Sequence, residues 1–91
     1  MANPTPVRYG QPLTHREIQC LAGAANGHSN AEIGARLFLA EDTVKSHMRR
    51  IFLKLGASDR AHAVWTAGEQ GALTIWHVHN AQATARLERA S

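Results

Sequence analysis

Residues 41–55, Glu41-Asp42-Thr43-Val44-Lys45-Ser46-His47-Met48-Arg49-Arg50-Ile51-Phe52-Leu53-Lys54-Leu55, separate into two faces when wound at about 100° per residue. Val44, Met48, Ile51, Phe52 and Leu55 form one apolar stripe. Asp42, Ser46, Arg49 and Arg50 lie opposite it, flanked by Thr43, Lys45, His47 and Lys54. Four of the chain's ten Lys and Arg residues therefore fall on one helix, on the side that cannot be core. A helix of roughly 10–12 Å diameter fits the major groove of DNA. Arg and Lys reach guanine edges or phosphates there, and Thr, Ser and His donate to phosphate oxygens. A solvated helix face has the same look, and charge alone does not separate the two. Glu41 and Asp42 suit the positive end of this helix, and Gly56 suits its stop.

The residues ahead of this stretch favour the groove-binding alternative. Ser29-Asn30-Ala31-Glu32 is a capping box, in which the Ser hydroxyl accepts from the backbone of the Glu and the Glu carboxylate reaches back. It opens a short helix that runs through Ile33 to Leu37 and stops near Phe38-Leu39. Thr14-His15-Arg16-Glu17 is a second capping box, with Leu13 placed to staple against Ile18. That helix runs to about Asn26, Gly27 is its left-handed stop, and Gly23 in its interior marks a close helix contact. Only a very short link joins Gly27 to Ser29, so the two helices meet at a sharp angle. A short helix tightly joined to a basic one is the helix-turn-helix arrangement. A fourth helix is predicted from Ser58-Asp59 to Gln70-Gly71, with Ala63, Val64 and Ala67 inward and Trp65 outward beside His62 and Glu69. An outward Trp suits the centre of an interface, or a place under the carboxy-terminal tail. In that tail Thr74 to His79 is mildly strand-like, and Asn80 is placed to cap an alanine-rich helix reaching Ala90. Residues 1–12 hold all three prolines and read as a flexible or extended arm.

The whole chain has 91 residues, enough for one domain, with 44% apolar residues of which sixteen are alanine. That composition favours a small all-α bundle over a sheet sandwich, which needs more β-branched and aromatic side chains. A single cysteine, Cys20, excludes an internal disulfide and reads as a small buried hydrophobe. No apolar run approaches the roughly 20 residues of a membrane span, and the amino terminus lacks an export-type stretch, so a cytoplasmic protein is expected. The net charge of +3 suits an anionic partner. No nucleophile–base set, phosphate loop or carboxylate pair emerges, so an enzyme is not expected, and no cofactor is called for. His77 and His79 alternate like strand ligands but lack a third partner, so no metal site is expected either.

Leu13-Thr14-His15-Arg16-Glu17, Gly27-His28-Ser29-Asn30-Ala31-Glu32-Ile33, Thr43-Val44-Lys45-Ser46-His47 and Lys54-Leu55-Gly56, in that order and register, resemble the LuxR/GerE family of DNA-binding domains. The resemblance runs without a gap from Leu13 to about Leu73. It implies a four-helix fold whose second and third helices form the helix-turn-helix and whose fourth supports dimers. Residues 1–12 are then an arm, 13–73 the DNA-binding domain, and 74–91 a carboxy-terminal extension with an added helix. Carried over by position, the resemblance puts Lys45, Ser46 and Arg49 at base edges and Thr43, His47 and Arg50 mainly at phosphates. Lys54 joins these as a DNA-binding candidate from its place beside the polar face. Ile33, Leu37, Val44, Ile51 and Leu55 match the family's core positions. His62, Trp65, Thr66 and Glu69 are the candidates for the dimer interface. Two positions depart from the pattern: Ala40 replaces a capping Ser, and Leu53 stands where Lys or Arg is common. The expected function is that of a stand-alone regulator of transcription, nucleoid-associated in the cytoplasm, binding double-stranded DNA as a weak homodimer on inverted half-sites. The alternative is a small interaction module that pairs with a related regulator or RNA polymerase and binds DNA weakly.

Overall fold

A computed structural model describes residues 6–81 and is helical throughout its regular elements. Four helices follow one another as α1 (His15–Ala25), α2 (Asn30–Leu37), α3 (Glu41–Leu55) and α4 (Arg60–Glu69). Residues 75–81 are also helical. Both capping boxes form. Thr14 and Ser29 accept from the backbone amides of Glu17 and Glu32 at 3.2 and 3.1 Å, and each carboxylate accepts the cap residue's own amide at 2.9 Å. Gly27 and Gly56 sit at positive φ, as their places after α1 and α3 require.

The core gathers one face of every helix: Cys20 and Leu21 from α1, Ile33 from α2, Val44, Met48 and Ile51 from α3, and Ala63 and Ala67 from α4. Of the expected core positions Leu37 is only half-buried, at the margin of this cluster. Cys20 is wholly buried, and burial pushes its thiol pKa up to about 11, so it is an inert packing group at neutral pH. Two glycines set the close approach of the helix-turn-helix. A Cβ at Gly23 would meet Ile33 Cγ1 at 2.8 Å, where α1 crosses α2. A Cβ at Gly34 would lie 2.5 Å from the Leu39 carbonyl oxygen, where the chain folds back over α2 on its way to α3. Phe38 makes that turn in the left-handed region (φ 58°), with its ring 83% exposed. Arg60, at the start of α4, donates to the His28 carbonyl at 2.5 Å and to Asn30 Oδ1, tying α4 to the link between α1 and α2.

Both ends of the domain differ from expectation. Residues 8–12 form a turn fastened to α3 rather than a flexible or extended arm: the Gly10 amide donates to the Lys54 carbonyl at 2.9 Å, and Tyr9 lies over Gly56. Residues 75–81 are a helix, although their β-branched and aromatic content locally favours a strand. Thr74 and His77 start it, the Thr hydroxyl and His ring Nδ1 being 3.0 Å apart. Asn26, the residue that ends α1, holds it in place by donating to the Val78 carbonyl at 3.0 Å. Asn80 is inside that helix and donates to the Trp76 carbonyl, so it is not an amino-terminal cap. The alanine-rich helix expected to Ala90 and the first five residues of the arm lie outside the described residues.

Candidate nucleic-acid interface

Helix α3 is held by its apolar stripe between α1, α2 and α4. Thr43, Lys45, Arg49 and Arg50 are exposed on its outer side and Ser46 is half-buried among them. Their spacing follows from the helix alone: residues three and four apart share a face, so Asp42, Ser46, Arg49 and Arg50 form one outward strip with Thr43 and Lys45 at its edges. Leu53 joins this strip at 59% exposure, an apolar side chain among cations. Ala40 starts the helix in extended backbone with no side-chain hydrogen bond, so no side-chain oxygen caps the first turn, where the Thr43 amide donates to the Ala40 carbonyl at 3.0 Å.

Lys54 does not belong to this face. Its side chain is only 8% exposed, and its Nζ donates to Glu17 Oε1 at 2.7 Å and to the Pro12 carbonyl at 3.2 Å. Glu17 is 2% exposed, and the same Oε1 accepts the Thr14 amide. On the wheel Lys54 flanks the apolar stripe, and the first turn of α1 covers that flank. The sequence expectation that Lys54 is available to DNA is therefore corrected: it braces α1 against the end of α3.

His47 occupies the same seam. It is half-buried, with its Nδ1 buried and lacking a hydrogen-bond partner. Burial lowers its pKa below the ordinary 6.5, and the charge of Arg50 lowers it further, so the ring is neutral at pH 7. The charge of Arg16, exposed on the first turn of α1, is also felt at His47. The packing of α1 on α3 brings that charge within reach of His47, and no feature of the local sequence around Arg16 marks it.

On α4, His62, Trp65 and Glu69 are exposed and Thr66 is half-buried. Trp65 is 66% exposed, so the described part of the tail does not cover it. Ile75 and Trp76 of the tail helix are exposed as well, while Val78 packs on the core. His77 serves the start of that helix through Thr74, and among the described residues no group of three or more His, Cys, Asp or Glu is placed to hold a metal ion.

A helix-turn-helix domain with a cationic outer helix is the class that this arrangement defines. Residues 11–67 match the family model described as GerE, bacterial regulatory proteins of the luxR family, and the chain belongs to that family of transcriptional regulators. It is 46% identical over 61 residues to the uncharacterized transcriptional regulatory protein YhcZ of Bacillus subtilis (strain 168), covering 67% of this chain and 28% of that protein. It is 44% identical over 71 residues to the HTH-type transcriptional activator RamA of Corynebacterium glutamicum, covering 76% and 25%. The crystal structure of response regulator ChrA, from a heme-sensing two-component system, matches with a TM-score of 0.67 at 37% identity over 78% of this chain and 33% of that one. The chain spans about a quarter of the length of the curated relatives it matches. No helix among the described residues is long and apolar enough to cross a membrane.

Proposed function

We propose that this chain binds duplex DNA in a sequence-specific way, with α3 in the major groove, and so regulates transcription in the cytoplasm. The observation that carries this is the outer side of α3, where Lys45, Arg49 and Arg50 stand exposed on a helix whose inner side is locked into the core. Lys45, Ser46 and Arg49 read base edges. Thr43, His47 and Arg50 contact phosphates, joined by Arg16 beside His47. Two copies pair weakly through α4, with Trp65 as the anchor, His62 and Glu69 around it and Thr66 at its edge. The dimer then places two copies of α3 on inverted half-sites about one helical turn apart, roughly 34 Å.

Selection of bound sequences from a random DNA pool tests this directly. The expected product is an inverted pair of half-sites at that spacing, bound with a steep salt dependence. Trp65→Ala should abolish cooperative filling of the two half-sites and leave binding to one half-site largely intact. A pool that enriches no motif would sink the proposal and favour a module that pairs with a related regulator or RNA polymerase.

A further inference from the structure

A cleft of about 250 Å³ opens between α1, α2 and the helix at 75–81, and no residue of α3 lines it. Its walls are mainly apolar: Ile18 and Ala22 from α1, Ile33 and Leu37 from α2, and Trp76 from the tail helix. Arg36, in the last turn of α2, also lines it, and the Nε of this guanidinium is buried with no hydrogen-bond partner. That nitrogen has no surface open to the cleft, so an anion there meets the terminal nitrogens of the half-buried side chain. Glu32, one turn earlier on α2, is near enough to feel the Arg36 charge, but its Oε1 is occupied by the Ser29 amide at 2.9 Å. Among the described residues the one ion pair is Glu17–Lys54, so no carboxylate oxygen lies within ion-pair distance of Arg36.

We propose that this cleft is a binding site for a small organic acid, an apolar ring or short chain bearing one carboxylate. The carboxylate accepts from the Arg36 guanidinium, a charge-assisted bond stronger than a neutral one. The apolar body lies between α1 and α2 under Trp76. Size limits the ligand: an apolar cavity of about 150 Å³ holds benzene, so this cleft takes one ring with a short acid arm. A folded protein segment is too bulky for it. Occupancy would join the tail helix to α2, the first helix of the helix-turn-helix, and so offers a route by which a metabolite reaches the DNA-binding unit.

The test is a titration of the full ¹⁵N-labelled chain with phenylacetate, with 2-phenylethanol as its uncharged match. Phenylacetate should saturably shift the amide signals of Gly23, Ile33 and Leu37 and the indole N–H of Trp76. The alcohol should bind about tenfold more weakly or worse, as expected for a lost charged hydrogen bond. Arg36→Gln should erase that preference, and Arg36→Lys, which keeps the charge but lacks the planar guanidinium fork, should recover only part of it. Ala81→Phe, which puts a ring into the cleft from the tail helix, should abolish the shifts. Shifts confined to Lys45, Arg49 and Arg50, equal binding of acid and alcohol, unchanged affinity in Arg36→Gln, or no shift at tens of millimolar would each overturn the site.

Discussion

Lys54 and Arg50 stand one helical turn apart on α3, yet their surroundings are opposite. Lys54 is buried 2.7 Å from a carboxylate, and Arg50 is exposed to solvent. The inner flank of α3 spends its cation on holding α1 in place, and the outer face leaves its cations free. A charge count over this helix treats the two alike. Burial is what divides them: an ion pair out of water depends on both partners, whereas an exposed cation contributes little to folding and remains available to an anion.

The sharpest way to break this contrast is Lys54→Ala. It leaves the Glu17 carboxylate buried without its partner, and should lower the unfolding free energy by about 3–5 kcal/mol in urea titrations. DNA affinity, measured per folded molecule, should barely move. A loss of affinity as large as that of Arg49→Ala, with stability unchanged, would return Lys54 to the DNA-facing group. Next in size come the outer cations. Lys45→Ala and Arg49→Ala should each weaken specific binding by about 1–3 kcal/mol and relax base preference, with little change in unfolding. Arg50→Ala should weaken specific and random DNA alike and reduce the salt slope by about one. If all three substitutions affected specific and random DNA equally, the division into base and phosphate contacts would be wrong.

Ala40→Ser touches neither flank and separates helix strength from both. A Ser hydroxyl there can accept from the first-turn amides of α3, so the variant should gain about 0.5–2 kcal/mol of stability by thermal unfolding, with base preference retained. The smallest effect concerns His47, on the seam between the two sides. Its folded pKa is below the ordinary 6.5, so the unfolded chain binds more protons in that range. Its contribution to stability is complete above 6.5 and is lost as the pH falls towards and through the lowered value. His47→Gln should flatten the fall of stability in that window in urea titrations at stepped pH, and an unaltered slope would exclude His47 as its source.

The helix starts are plain in the sequence because each is local: Thr14 with Glu17 and Ser29 with Glu32 lie within one turn, and Gly27 and Gly56 follow the last turn of their helices. The outer face of α3 is legible for the same reason, since periodicity alone exposes Lys45, Arg49 and Arg50. What escapes is set by contacts between distant residues. Glu17 meets Lys54 across 37 positions, and Arg60 reaches the His28 carbonyl across 32. A helical wheel places Lys54 at a boundary and cannot say whether another helix covers it. Residues 75–81 mislead locally because Ile75, Trp76 and Val78 favour a strand, and the cap at Thr74 and the bond from Asn26 override that preference. Phe38 carries no mark either: the left-handed turn before α3 usually calls for Gly or Asn.

One oxygen atom couples the opening of two distant segments. Glu17 Oε1 accepts both the Thr14 amide that begins α1 and the Lys54 ammonium near the end of α3, and the Lys54 carbonyl in turn accepts the Gly10 amide. When the first turn of α1 frays, the ammonium loses its carboxylate and the turn at residues 8–12 loses its anchor. The beginning of the domain and the end of α3 should therefore open together, as one unit of local unfolding. In native-state hydrogen exchange the amides of Gly10 and Glu17 would then report a single opening free energy, although neither belongs to the same helix as Lys54.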